Sequence, residues 1–492
     1  MQTGSKMVLK VFNTLGRRKE EFIPVNPGEV RIYVCGPTVY DYIHIGNARA
    51  FVVADVVRRY LRYKGFKVKY VSNITDIDDK IINRARELGI STQELAETYS
   101  NAYFEDITKL NIEKPDVTPR ATQHIPEMIE AIERLIEKGY AYVVDGDVYF
   151  DISKFKDYGK LSGNKAEALE MGARIEVNPK KRNPADFALW KSWKPGEPGW
   201  HSPWGKGRPG WHIECSTMAQ KYLGETIDIH MGGKDLIFPH HENEIAQAEA
   251  LTGKPFVKYW LHNEWLTVEG EKMSKSLGNF VTVRDALKIC SPVVLRFFLI
   301  SAHYRSPLDF NRDALKTAER NLERLVRALE RLNDIPERET RTIEDEKLIS
   351  EVEKEKRKFE EAMDDDFNTP LAISALFSMA RLINSYADAN KTIEKTTKRR
   401  VLKVLVDLLG VLGIEWAADK RETWTDELFK GVLELLIDVR NELRRMKKWE
   451  IADHIRDELR KMGIILEDAG EETKWMIKRE RHNREESKIT ST

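Results

Sequence analysis

Two of the three cysteines in this chain stand beside sequences suited to handling a nucleotide. Cys35 lies in Tyr33-Val34-Cys35-Gly36, shortly before His44-Ile45-Gly46-Asn47. Cys215 ends Trp211-His212-Ile213-Glu214-Cys215, upstream of Phe238-Pro239-His240-His241-Glu242-Asn243-Glu244. Zinc takes thiolate, imidazole and carboxylate ligands in tetrahedral sites. His240 and Glu244 are four residues apart, so a helix would present both on one face. With Cys35 and Cys215 arriving from neighbouring strand ends, Cys35, Cys215, His240 and Glu244 form a candidate zinc site. A zincin site is excluded: His241-Glu242 begins one, but Ile245 stands where the second histidine is required. Cys290, in an apolar stretch, reads as an inert thiol.

The nucleotide chemistry rests on two strings. His44-Ile45-Gly46-Asn47 falls at a strand-to-helix junction, where free N–H groups and the helix dipole favour phosphate. Gly46 lets a nucleotide approach the backbone, and His44 is placed to donate to phosphoryl oxygens in a transition state. Asn47 offers an amide donor beside it. Farther on, Lys272-Met273-Ser274-Lys275-Ser276 sets two lysines around Met273 and Ser274 in a loop. Lys272 and Lys275 are suited to neutralising the triphosphate of ATP and its departing pyrophosphate. No G-x-x-x-x-G-K-[ST] string is present, so this is not a P-loop.

The elements that must carry these residues are legible from periodicity. Residues 30–34 form a short apolar strand ended by Gly36-Pro37. Residues 49–63 have helical spacing with Gly65 as a stop, and 67–72 form the next strand. Strand, helix and strand in this span make a parallel crossover unit. A helix at 124–138 precedes a hairpin, 140–144 and 148–152, around an Asp145-Gly146 turn. The Pro/Gly/Trp-rich passage 194–210 reads as a long irregular loop, and 226–230 as a strand. From about 315, Leu322, Leu325, Val326, Leu329 and Leu332 recur at helical spacing and strand signals vanish. The last dozen residues or so are polar and expected to be disordered.

Composition bounds the class. At 492 residues the chain exceeds one compact core, and it is 41% hydrophobic and 33% charged, above the usual charged fraction of about 25%. The Lys/Arg/Glu excess fits the ion-pair networks of a heat-adapted protein. Formal net charge is zero, so any nucleic-acid surface must be local. There is no signal-peptide pattern and no run long enough to span a membrane. A cytosolic, reducing compartment follows from the cysteine usage, in which metal ligation or catalysis outranks disulfides.

The order of the two strings resembles the class I aminoacyl-tRNA synthetases, with Asn47 where the family motif has a second histidine. Tyr33 to Arg49, Asn73-Ile74-Thr75-Asp76-Ile77-Asp78-Asp79-Lys80, Gly210 to Cys215, Phe238 to Glu244 and Met363-Asp364-Asp365-Asp366-Phe367-Asn368-Thr369-Pro370 narrow the resemblance to the cysteinyl-tRNA synthetases. That resemblance implies an α/β fold. Its Rossmann-type parallel-sheet catalytic domain (1–110 and 201–265) is split by an inserted α+β domain at 111–200. A stem-contact region with the lysine loop follows at 266–315. An all-α helical-bundle region for tRNA binding spans 316–415, and a small anticodon-recognition region spans 416–492. It implies one zinc ion on Cys35, Cys215, His240 and Glu244, an amino-acid pocket shaped by Thr75 and Trp211, and ribose contacts at Gly233 and Asp235. L-cysteine, ATP with Mg2+, and tRNA(Cys) are the implied partners, for a monomer without membrane association. The lysine- and arginine-rich stretches 440–448 and 474–484, with Trp449 or Trp475, are the candidate RNA contacts. The alternative reading is a related ligase that joins cysteine to an amino sugar in mycothiol synthesis, disfavoured by the long helical region.

Overall fold

The computed structural model describes residues 8–164, 179–273, 277–415, 422–461, 464–469 and 472–477. The chain divides into two units, Met1–Trp416 and Ala417–Thr492. At the centre of the first is a parallel four-stranded sheet. Its members are β1 (Glu29–Val34), β2 (Lys67–Ser72), β3 (Ile227–Gly233) and β4 (Val257–Asn263), in the order β4-β3-β1-β2. Strand β3 pairs β1 through Ile229↔Ile32, His230↔Tyr33 and Met231↔Val34, and pairs β4 on its other side. Every residue of β3 up to Gly232 is buried, as expected of a parallel strand covered on both faces. The crossover expected from the sequence is present: helix α1 (Ile45–Tyr63) joins β1 to β2.

The insertion between β2 and β3 carries a helix at Ile125–Glu137 and a five-stranded antiparallel sheet. Its first hairpin turns at Asp145 (φ 49°) and Gly146 (φ 82°), the left-handed pair that an Asp-Gly turn supplies. The passage 194–210 is not an irregular loop. It contains strands Trp200–Ser202 and Gly205–Pro209, which extend the sheet past the expected boundary at 200. Its glycines serve packing rather than chain reversal alone: a Cβ on Gly207 would lie 2.3 Å from Trp190 Nε1.

Helix α2 (Trp211–Leu223) then leads into β3, and helix α3 (Glu242–Thr252) joins β3 to β4. Between residues 312 and 411 lie four long helices, α4 (Arg312–Asp334), α5 (Ile343–Asp364), α6 (Thr369–Ala389) and α7 (Lys395–Val411). Leu322, Leu325, Leu329 and Leu332 are buried and Val326 partly so, as the periodicity requires. A two-residue parallel pairing, Glu337–Arg338 with Ile393–Glu394, is the strand content within this bundle. The run 365–368 is the turn between α5 and α6. Asp366, at φ 66°, accepts from Phe12 N (2.8 Å), Tyr304 Oη (2.7 Å) and Arg305 Nε (2.7 Å).

One apolar core runs from Val30, Ile32 and Val34 through α1 to Leu376 and Leu408 of the bundle. Within it lies a buried ion pair, Arg296 Nη2 to Asp55 Oδ2 at 2.5 Å, both side chains about 1% exposed. The guanidinium also donates to the carbonyls of Leu110, Asn111 and Leu412 at 2.8–2.9 Å. Gly413 lies against it so closely that a Cβ there would be 2.0 Å from Arg296 Nη2. Every polar atom around Asp55 is thus committed to partners that water cannot replace.

The second unit consists of helices Glu422–Arg445 and Trp449–Lys461 with a hairpin of Ile464–Ala469 and Glu472–Ile477. Leu433, Ile437, Leu459 and Ile464 form its core. The hairpin lies past about residue 460, where the helical spacing ends. Arg440 is 1% exposed and is therefore withdrawn from the candidate phosphate contacts, whereas Trp449 is exposed. Residues 478–484 lie outside the described residues.

Arg296→Met is expected to destabilise the first unit by about 3–5 kcal/mol, the usual cost of orphaning a buried charge, read as a lowered urea midpoint at unchanged slope.

Candidate active site and metal centre

Cys35 directly follows β1, and His230 lies within β3 one strand over. Cys215 comes from the start of the second turn of α2, not from a strand end as expected. Gly-Trp-His at 210–212 starts a helix because Gly210 packs against the neighbouring strand, where a Cβ would sit 2.0 Å from Ala188 O. The turn that follows β3 carries His240 and His241, and Glu244 sits in the first turn of α3. Cys35, Cys215, His240 and Glu244 each offer a ligand atom, and these atoms all lie within 4.8 Å of one another. The Sγ atoms of Cys35 and Cys215 are 3.8 Å apart, and Cys35 Sγ is 3.4 Å from Glu244 Oε1.

His240 Nε2 lies 2.9 Å from Glu244 Oε1, yet it makes no hydrogen bond and is fully buried. Both atoms carry lone pairs and share one small space with the two thiols. On its other side, His240 Nδ1 is 2.9 Å from His212 Nδ1, and Trp211 stacks on the ring at a centroid distance of 4.2 Å. A partner on Nδ1 that fixes the ring and leaves Nε2 directed inward is the usual outer support of a metal-binding histidine. Two thiols, an imidazole and a carboxylate are the donor types that zinc selects, so these residues fit that ion.

The charges are strongly coupled. Burial would push His240 down, but the Glu244 carboxylate and Cys215 hold it up at about 10. Burial would raise Glu244, but His230 and His240 bring it to about 2. The Cys215 thiolate, accepting from Cys35, is drawn down to about 6, while burial and the neighbouring thiolate push Cys35 up.

Four histidines that spacing did not single out complete the site. His241 Nε2 is 3.5 Å from Cys35 Sγ, which makes Cys35, His230, His241 and Glu244 a second convergent set. His230 Nε2 bonds Glu244 Oε2 at 3.0 Å. His241 Nδ1 meets His262 Nε2 at 2.8 Å, and His262 Nδ1 meets Thr14 Oγ1 at 2.8 Å. Burial holds His212, His241 and His262 well down, the last to about 3. The signal available in sequence was two histidines, His230 and His262, inside otherwise apolar strands.

Behind the thiols the wall is rigid. Thr75 is buried, its hydroxyl donating to Glu214 Oε2 at 3.0 Å, and Asn73 Oδ1 accepts from Gly36 N at 2.9 Å. Burial drives the Glu214 carboxyl well up, aided by Cys215. The inserted domain supports α3 from outside: Glu242 accepts from Gly159 N (3.0 Å) and Ser162 N (2.8 Å), and Tyr158 Oη donates to Asn243 Oδ1 at 2.5 Å.

The structure joins the two nucleotide strings. His44 caps α1: its Nδ1 accepts from Asn47 N at 3.2 Å, and Asn47 Oδ1 accepts from His44 N at 3.3 Å. An accepting Nδ1 puts the ring proton on Nε2. Asn47 is thus first a capping residue. The segment after the lysine loop pairs with this turn through Ile45 N to Val281 O (3.1 Å) and Val283 N to Ile43 O (3.0 Å). Met273 reaches the same place: its Cε would lie 3.5 Å from a Cβ on Gly46, and its Sδ lies 3.5 Å from Val281 N. Lys272 Nζ sits 4.8 Å from the centroid of Trp265. Ser274 and Lys275 lie outside the described residues. Gly233 ends β3 and leads into a turn bearing the exposed Asp235.

The tRNA synthetases class I (C) catalytic domain family matches residues 21–320, and the DALR domain family matches 358–416. A cysteine–tRNA ligase of Anoxybacillus flavithermus is 53% identical over 470 residues, covering 95% of this chain and 99% of that protein. One from Thermococcus onnurineus is 51% identical over 473 residues, covering 95% and 99%. The chain belongs to the cysteine–tRNA ligase family. Its fold is shared with solved synthetases of low identity. Methionyl-tRNA synthetase of Mycobacterium tuberculosis with methionyl-adenylate has a TM-score of 0.58 at 18% identity, covering 78% of this chain and 89% of that one. A LeuRS–tRNA ternary complex from Agrobacterium radiobacter K84 has a TM-score of 0.60 at 12% identity, covering 80% and 85%.

A Cβ on Gly36 would lie 1.5 Å from Asn73 O, a backbone atom that cannot move aside. Gly36→Ala is expected to displace Cys35 and lower cysteine-dependent ATP–pyrophosphate exchange about 100-fold, the usual cost of a 1 Å misplacement.

Proposed function

We propose that the chain activates L-cysteine with ATP, forming cysteinyl-adenylate and pyrophosphate, and transfers the cysteinyl group to the 3′ end of tRNA(Cys). The observation that carries this reading is the convergence of two thiols, an imidazole and a carboxylate at the sheet edge that also carries the capped N-terminus of α1. In the reading, Cys35, Cys215, His240 and Glu244 hold zinc. When bound, zinc supplies recognition of the substrate sulfur, because a thiol of pKa near 8.5 ionises readily on it and a hydroxyl does not.

The other steps belong to this chain's residues. The cysteine carboxylate attacks the α-phosphorus of ATP, and pyrophosphate leaves. His44 Nε2–H and the N–H groups at the start of α1 stabilise charge on the α-phosphate. Gly46 and Met273 form the floor beneath it. Lys272, parked on Trp265 by a cation–π contact, turns with Lys275 and Ser274 onto the β- and γ-phosphates, where Mg2+ accompanies ATP. Gly233 and Asp235 receive the ribose. Trp211 covers the amino-acid side, and Thr75 acts from behind it by orienting Glu214. No covalent enzyme intermediate is needed, so catalysis is positioning and electrostatics.

The match at 358–416 and the family's naming support tRNA rather than an amino sugar as acceptor. No described helix is long and apolar enough to cross a membrane. A monomer working in the cytosol is part of the same proposal.

The test is metal content together with cysteine-dependent exchange in the wild type and in Cys215→Ser. One zinc per wild-type chain, lost with activity in the variant, is expected; unchanged zinc and exchange in Cys215→Ser would refute the ligand assignment. Serine is expected to support exchange on the order of 10⁴-fold less well than cysteine, since the site is built around one heteroatom. Lys272→Ala is expected to lower the exchange rate by about 10²–10³-fold, comparable to losing one transition-state donor, with metal content unchanged.

A further inference from the structure

Strand β1 alternates its side chains between the two faces of the sheet. Ile32 and Val34 enter the core shared with the helical bundle. Tyr33 belongs, with Cys215, to the cluster on the opposite face, against which Cys35 packs. Register places Tyr33 between His230 of β3 and Val71 of β2. Its ring meets that of His230 edge to face at a centroid distance of 5.2 Å. The side chain is fully buried, and its Oη makes no well-formed hydrogen bond among the described residues.

A phenol hydroxyl buried without an acceptor costs free energy that a phenylalanine ring of the same shape would not. The hydroxyl therefore calls for a partner. Burial, then the charges of Cys215, Cys35 and Glu244, hold the phenol well above its ordinary value, so the proton stays on Oη. Two of these three neighbours have imidazole nitrogens in reach: His241 Nε2 lies 3.5 Å from Cys35 Sγ, and His230 Nε2 lies 3.0 Å from Glu244 Oε2. Cys215 Sγ instead faces Asn73 Oδ1 at 3.7 Å, an acceptor already used by Gly36 N. With both cysteines deprotonated as ligands, Cys215 is the sulfur short of a donor.

We propose that the Tyr33 hydroxyl donates to the Cys215 sulfur in the metal-loaded site and is a positioning residue for cysteine recognition. The inference rests on the reading above, that these residues hold zinc for the substrate sulfur. A hydrogen bond to a thiolate favours its charged form and draws electron density from it. Two protein thiolates, a carboxylate and the substrate thiolate together carry more negative charge than one divalent ion offsets. A proton shared onto Cys215 relieves that excess and leaves the ion a better acceptor for the incoming sulfur. Outer partners of this kind orient metal ligands and tune the metal.

The experiment compares the full chain with Y33F, and with V71A as a control that loosens packing against Tyr33 without touching the hydroxyl. Each is loaded with Zn2+ for affinity and kinetics and with Co2+ for absorption spectra. In Y33F the sulfur-to-cobalt charge-transfer band should move to longer wavelength, because a sulfur without the hydrogen bond gives up an electron more easily. Zinc affinity, read by competition with a chelator, should fall about 10- to 100-fold, the usual cost of an outer partner. In ATP–pyrophosphate exchange the KM for cysteine should rise about 10-fold, with kcat and the KM for ATP nearly constant. V71A should lower the urea midpoint and leave the band in place. An unmoved band in Y33F would overturn the proposal. An equal shift in V71A would also overturn it, since the cause would then be packing. If Y33F does not fold, 3-fluorotyrosine at position 33 decides: the stronger donor must move the band to shorter wavelength, and an unmoved band overturns the proposal. Should the wild type bind no zinc or show no cysteine-dependent exchange, the failure lies in the functional reading and not in Tyr33.

Discussion

Parallel pairing of β3 with β1 is the constraint on which the molecule depends. It joins two segments separated by the whole inserted domain, through only three register pairs. That register puts the end of β1 beside the end of β3. The first thiol then lies within reach of the helix that follows β3, and the capped start of α1 opens from the same edge. Parallel strands cannot be joined by a tight turn, so the long detour between them is required by topology, and the insertion uses it. A one-residue slip would turn His230 away from Glu244 and separate Cys35 from Cys215.

The legible part of this architecture was the part written in short-range pattern. The strand, helix and strand over 29–72 announce themselves by alternation, helical spacing and a glycine stop, and the Asp145-Gly146 hairpin by its turn chemistry. The convergence of Cys35, Cys215, His240 and Glu244 was legible because Cys is rare and His240 and Glu244 sit one turn apart. Its geometry was not. Cys215 belongs to a helix because Gly210 needs to approach Ala188, a long-range packing fact with no local signature. His241 was passed over because the motif it begins lacks a second histidine. The site uses it through Cys35 and His262, residues distant in sequence. Trp200–Ser202 and Gly205–Pro209 were hidden because glycine and proline ordinarily mark loops. Here Gly207 makes room for Trp190.

His44 shows how local and global demands coincide. Its imidazole satisfies an orphan N–H at the start of α1 and, by doing so, sets its own tautomer. The same residue therefore stabilises the helix and, in the proposed reaction, serves the phosphate. Arg296 and Asp55 do comparable work deeper in the core, committing a buried pair to three backbone carbonyls. Neither arrangement is readable from spacing, because each depends on partners brought in by the fold.

The hold of the inserted domain on α3 has a further meaning. Glu242 and Asn243 are gripped by the 158–162 turn, and Glu244 is the next residue along. The insertion is thus a buttress for the ligand-bearing helix as well as a decoration of the sheet. It is not an interchangeable cassette. Transplanting a foreign insertion between these strands would succeed only where the incoming turn offered the same two backbone N–H groups and a hydroxyl at the same height. Such chimaeras would otherwise lose the convergence of Glu244 with Cys35, Cys215 and His240 while their sheets folded correctly.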